Sequence, residues 1–212
     1  MRLFLASYRF GAHADRLLEL VGTPGRVGLI PNACDAWPAA WQSAVTSDEV
    51  PLRRLGFRPE VVDLREYAGA PERLRATLAG FPLLWVRGGN TFVLRAQFAR
   101  SGADAVLPAL LADDALVYAG YSAGACLLSP DLHGIEEADD PAEVRPATGV
   151  EPRWDGLGLI DRPIVPHIDS PTDPDGICTR LAARFRAEGK PHLALTDDDA
   201  VIVDGGAPEL LN

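Results

Sequence analysis

Residues Ala115-Leu116-Val117-Tyr118-Ala119 form an apolar run that Gly120-Tyr121-Ser122-Ala123-Gly124 follows without a break, before Ala125-Cys126-Leu127-Leu128. The pattern predicts a buried strand, a tight turn and the start of a helix. A turn that sharp crowds the backbone, which is why glycines flank it, and it lifts the central side chain clear of its neighbours. The helix start also aims amide N–H groups at any negative charge developing there. Ser122 is therefore the first candidate nucleophile. A strand that is apolar throughout belongs in a sheet covered on both faces, so the same residues constrain the fold.

The rest of the chain repeats that rhythm. Candidate strands at 2–7, 26–31, 58–63, 82–86, 115–119, 163–167 and 200–204 alternate with candidate helices at 12–21, 36–55, 70–79, 91–101, 103–112 and 175–188. Such alternation predicts an α/β domain with a mostly parallel, doubly wound sheet in three layers. With 212 residues, 47% of them hydrophobic, and no visible boundary, residues 1–212 read as one domain. The exception to the rhythm is 129–158, rich in Pro, Asp, Glu and Gly; a long irregular stretch after the nucleophile turn is expected near the mouth of a site, as wall or lid.

A formal net charge of -10 with no basic tail or stripe argues against nucleic acid or anionic membrane as partner. Cys34, Cys126 and Cys178 are odd in number and lack metal-like spacing, which fits reduced thiols. Neither a secretory leader nor a membrane-spanning run is evident, so a soluble cytoplasmic protein is expected, monomer or homodimer.

A serine hydroxyl needs a base. Of the four histidines, His13, His133 and His192 have no local feature that ties them to Ser122. His167 ends the run Pro163-Ile164-Val165-Pro166-His167, which predicts that it projects from the carboxyl end of a strand, where ligands gather in open α/β sheets. The base in turn needs an orienting carboxylate, and Asp197-Asp198-Asp199 precedes the last strand; one of the three would give the chain order Ser, His, Asp, unlike the Ser, Asp, His of α/β-hydrolases. For an oxyanion hole, the Ala123 amide follows the nucleophile, and Gly88-Gly89-Asn90-Thr91-Phe92 ends another strand with a double glycine that admits close approach to the backbone.

Together, Gly88-Gly89-Asn90-Thr91-Phe92, Gly120-Tyr121-Ser122-Ala123-Gly124-Ala125, Gly156-Leu157-Gly158-Leu159, Pro166-His167 and the acidic turn before Ala200 resemble the peptidase E family of serine peptidases, to which cyanophycinase is related. The resemblance implies a fold like class I glutamine amidotransferases, with serine replacing their cysteine. It implies Ser122 as nucleophile, His167 as base, Asp198 as the orienting acid, and Gly89 with Ala123 as oxyanion donors, without metal or cofactor. It also implies Gly88, Asn90 and Thr91 beside the substrate, and Arg180 as a clamp for an aspartate side chain, although Cys178 stands where the family has glutamate. The implied activity is that of an exopeptidase on short peptides, Asp-Xaa dipeptides among them. A cyanophycinase-like hydrolase of β-aspartyl-arginine peptides and an inactive binding module are the alternatives.

Overall fold

The computed structural model describes all 212 residues. Nine strands form: β1 (Arg2–Ala6), β2 (Arg26–Ile30), β3 (Arg58–Val61), β4 (Leu83–Val86), β5 (Val117–Tyr121), β6 (Ile164–Val165), β7 (Leu193–Ala194), β8 (Ala200–Asp204) and β9 (Glu209–Leu211). Seven build the central sheet in the order β3-β2-β4-β5-β1-β8-β9. The first five run parallel, and β8 joins β1 antiparallel, as β9 joins β8. This is the mostly parallel α/β sheet that the alternating sequence predicts.

Side chains leave a strand on alternate faces, and β1 shows what that does here. Leu3 and Leu5 join the larger apolar core, whereas Phe4 and Ala6 join the smaller one on the opposite face. Leu84 and Val86 of β4 likewise face the first, Leu83 and Trp85 the second. Helices α1 (Ala14–Val21) and α2 (Trp41–Arg54) cover the smaller core. Helices α3 (Pro71–Leu78), α4 (Thr91–Ser101), α5 (Ala103–Ala112), α6 (Ala123–Cys126), α7 (Val144–Thr148) and α8 (Ile177–Ala187) contribute to the larger. Each fully buried Leu, Val or Phe stabilises the fold by about 1.5–3 kcal/mol.

The run 163–167 departs from expectation. Only Ile164–Val165 is strand, and it pairs in parallel with β7 in a separate two-stranded ribbon outside the central sheet. Two prolines in five residues, Pro163 and Pro166, remove the amide donors a longer strand would use. The irregular stretch 129–158 holds two short 3-10 turns and α7. No helix is long and apolar enough to cross a membrane.

Candidate active site

Three parallel strands deliver the site at their carboxyl ends: β1 leads to Ser7, β4 to Gly88-Gly89, and β5 to Ser122. Ser122 has φ 51° and ψ -118°, a conformation that side chains rarely adopt. The glycines around it are required by space. A Cβ on Gly124 would stand 2.2 Å from the Val86 carbonyl oxygen, and one on Gly120 2.7 Å from that of Gly124. One on Gly88 would come within 2.8 Å of the Ser122 Cβ, so the double glycine presses directly on the elbow. Neither the Gly89 nor the Ala123 N–H is donated to any backbone carbonyl, which leaves both free for an oxygen bound beside Ser122.

The His167 Nε2 lies 3.0 Å from the Ser122 Oγ. Its Nδ1 lies 2.8 Å from the Asp197 Oδ1. The β6–β7 ribbon explains this meeting: Val165 and Ala194 are register partners, and His167 and Asp197 follow them past the same end of the ribbon. Ser7 ties the ribbon to the sheet. Its buried Oγ accepts the His167 N–H at 2.7 Å and donates to the Asp197 Oδ1 at 3.1 Å. The Ser170 hydroxyl donates to the other carboxylate oxygen of Asp197, and the Thr172 Oγ1 lies 3.1 Å from the His167 Nδ1. Burial pushes the Asp197 carboxyl up, but hydrogen bonds from Ser170, His167 and Ser7 outweigh it and hold the group below the usual carboxylate range.

The acid expected against His167 was Asp198, and the structure corrects this by one residue. Asp198 is exposed, and its carbonyl oxygen instead accepts the Ala12 N–H at 2.9 Å. Asp199 folds back to accept the Thr196 N–H at 2.7 Å. Three acids in a turn point three ways, and only the central residue of the three faces solvent.

Arg180 is a second correction. It is exposed on α8, donates to the Asp175 carbonyl oxygen and lines neither cavity at Ser122. Asn90 and Thr91 are buried and line neither cavity either. Asn90 caps α4, accepting the Phe92 and Val93 N–H groups at 2.9 and 3.0 Å, and donates to Glu143 at 2.8 Å. Thr91 donates its N–H and its hydroxyl to the Asp139 carboxylate, at 2.8 and 2.6 Å. Both residues therefore fasten the 129–158 stretch to the elbow region. Gly88 and Gly89 do line the site.

Two cavities meet at Ser122. One, of about 510 Å³, is bounded by Tyr8, Arg9, Trp37, Arg87 and Tyr121, with Ser122 and His167 at its wall. Behind that wall Arg87 pairs with the buried Asp48 at 2.8 Å, and the Tyr121 hydroxyl donates to Asp48 at 3.1 Å. Burial raises the Asp48 carboxyl above its ordinary value against the opposing pull of Arg87. The other cavity, of about 360 Å³, is lined by Asp139, Asp173 and Asp175 beside Ser122 and His167. Burial raises Asp139 to about 6, although Thr91 pulls the other way. Cys178 also borders this cavity, and burial beside Asp173 pushes its thiol up to about 12, far from a reactive thiolate.

Ser7, Ser170, Thr172 and Asp139 escaped sequence reasoning. Ser7 had one available signal, its position as the last residue of the candidate strand 2–7. Asp139 lies in the irregular stretch expected near the mouth, but nothing in that stretch distinguished it from its acidic neighbours.

A serine raised on a strand–helix elbow of a mostly parallel sheet, with an imidazole in hydrogen-bond reach, defines the class: an α/β serine hydrolase. Residues 6–211 match Peptidase family S51, and the chain belongs to that family of serine peptidases. It is 32% identical over 152 residues to the uncharacterized peptidase Lin0382 of Listeria innocua, covering 72% of this chain and 68% of that one. It is 34% identical over 155 residues to the uncharacterized peptidase Lmo0363 of Listeria monocytogenes, covering 73% and 71%. Among solved structures, a Listeria monocytogenes EGD-e chain provisionally assigned as a peptidase E protein superposes with a TM-score of 0.81 at 23% identity, over 100% of this chain and 98% of that one. A peptidase from an acI-B1 actinobacterium gives 0.65 at 18%, over 100% and 87%. These two structures share the fold.

Proposed function

We propose that the chain is an exopeptidase that cleaves short peptides after their amino-terminal residue through an acyl-enzyme. The observation that carries this reading is the unbroken hydrogen-bond path from Ser122 through His167 to Asp197. The Ser122 Oγ attacks the scissile carbonyl carbon while its proton passes to the His167 Nε2. The oxygen that becomes negative is held by the Gly89 and Ala123 amides. The C–N bond then breaks, and His167 gives the proton to the departing amine. A water, deprotonated by His167, attacks the ester; the carboxylate product leaves and Ser122 regains its proton. Asp197 stays ionised and orients the imidazole.

The acidic cavity suits the ammonium group of a free amino terminus and repels an aspartate side chain. With Arg180 turned to solvent, nothing at Ser122 on that side favours Asp-Xaa substrates over others.

The test is labelling by a fluorophosphonate probe together with turnover of a panel of amino-acid p-nitroanilides. The native chain labels and turns over; Ser122→Ala does neither, losing roughly 10⁵–10⁶ in kcat, while its melting temperature barely moves. Full activity in that variant, or folded native protein that fails to label, overturns the mechanism.

A further inference from the structure

The larger cavity at Ser122 is lined by two arginines in different states. Arg87 is fully engaged: it pairs with Asp48 at 2.8 Å and donates to the Ala44 carbonyl and the Ser47 hydroxyl at 3.0 and 2.9 Å. Arg9 has no such partners. Its buried Nε finds no hydrogen-bond acceptor, and its guanidinium rests 5.3 Å from the centre of the Tyr8 ring. No carboxylate or carbonyl of the protein takes up its guanidinium, so a cation at this cavity wall is left to an anion that enters the cavity.

The backbone at Arg9 points the same way. Five residues other than glycine have positive φ: Arg9, Asp114, Ser122, His167 and Asp169. Three of them, Arg9, Ser122 and His167, border this one cavity. An arginine gains nothing intrinsically from φ 51°, a conformation that glycine or asparagine adopts more readily. Strain of this kind collects where a side chain must be held in place for a ligand.

We infer that Arg9 binds the free α-carboxylate of the residue on the leaving side of the scissile bond, which makes the enzyme selective for dipeptides. The inference rests on the exopeptidase reading. Ser122 lies between a cavity edged by Asp139, Asp173 and Asp175 and one whose unmatched charge is Arg9. A dipeptide carries an ammonium at one end and a carboxylate at the other, so its charges match the two sides in only one direction. A guanidinium meets a carboxylate through two parallel hydrogen bonds. A longer peptide places a neutral amide there, which cannot reproduce that pair.

The experiment compares alanyl-alanine with its C-terminal amide as substrates of the native chain, Arg9→Gln and Arg9→Lys. Alanine p-nitroanilide, which has no carboxylate, reports separately on whether the native chain is a peptidase at all. Alongside, calorimetry measures binding of the same acid and amide to Ser122→Ala, with and without Arg9→Gln. The native chain prefers the acid by roughly 30-fold in kcat/KM, mostly through KM; Arg9→Gln brings acid and amide level, and Arg9→Lys restores part of the preference. A role in folding alone would lower both substrates together and leave their ratio intact. Equal use of acid and amide by the native chain, or an unchanged ratio in Arg9→Gln, overturns the inference. If neither peptide nor anilide is hydrolysed, the exopeptidase reading fails, and binding decides on Arg9: tighter binding of the acid that disappears with Arg9→Gln sustains it, equal affinities refute it.

Discussion

The two cavities that meet at Ser122 are built by different means. The cationic one draws one wall from regular structure, with Ala44 and Ser47 on α2, Tyr121 ending β5 and the buried Asp48–Arg87–Tyr121 cluster bracing it from behind, while Tyr8, Arg9 and Trp37 close it from turns. The acidic one is made from loops, with Asp139 held by Thr91 and Asp173 capping the first amides of α8 at 2.9 and 2.7 Å. Their shared wall is the serine elbow, where the glycines tolerate no side chain. A scaffold thus fixes the reacting atoms, while loops, which accept change more readily, set one side of what may enter.

That difference can be broken first on the braced side. Arg87→Met leaves Asp48 buried without its cation, and an unpaired buried charge costs about 3–5 kcal/mol. Urea denaturation of the variant checks this; a loss below 1 kcal/mol would show that the cluster is not what holds the wall.

The loop side responds more gently and depends on pH. Folded Asp139 takes up its proton near pH 6, whereas an unfolded aspartate waits until about pH 4. Between those values the folded state binds more protons, so this group's contribution to stability rises as pH falls, and its ionised form costs stability at neutral pH. Asp139→Asn removes that dependence. Its melting temperature relative to the native chain should rise by a few degrees from pH 4 to pH 7. Asp197, whose shift has the opposite sign and whose stability is lost as pH falls, is present in both proteins and cancels in the difference. A difference that stays flat with pH would contradict the raised Asp139 carboxyl.

Much of the scaffold side was legible in the sequence, because local rules wrote it. Apolar strands announced a doubly covered sheet, and Gly120, Gly124, Gly88 and Gly89 marked places where neighbouring atoms come too close for a Cβ. His167 was singled out by its position after an apolar run, although the run is a short ribbon rather than a strand of the main sheet. What stayed hidden is set by contacts distant in sequence. Choosing Asp197 over Asp198 requires knowing that Ser7, 190 residues away, meets that turn. Arg180 carried a family pattern but points into solvent, and Arg9 has no neighbouring motif that would mark it.

In the proposed mechanism Asp197, and not its neighbour Asp198, orients the imidazole that activates Ser122. The most direct test is kcat for Asp197→Asn against Asp198→Asn on the same p-nitroanilide. The hydrogen bond from His167 to Asp197 predicts a loss of roughly 10⁴ for the first, since the imidazole loses its tautomer and orientation, and a change within about twofold for the exposed second. Equal losses, or a collapse with Asp198→Asn and none with Asp197→Asn, would contradict it.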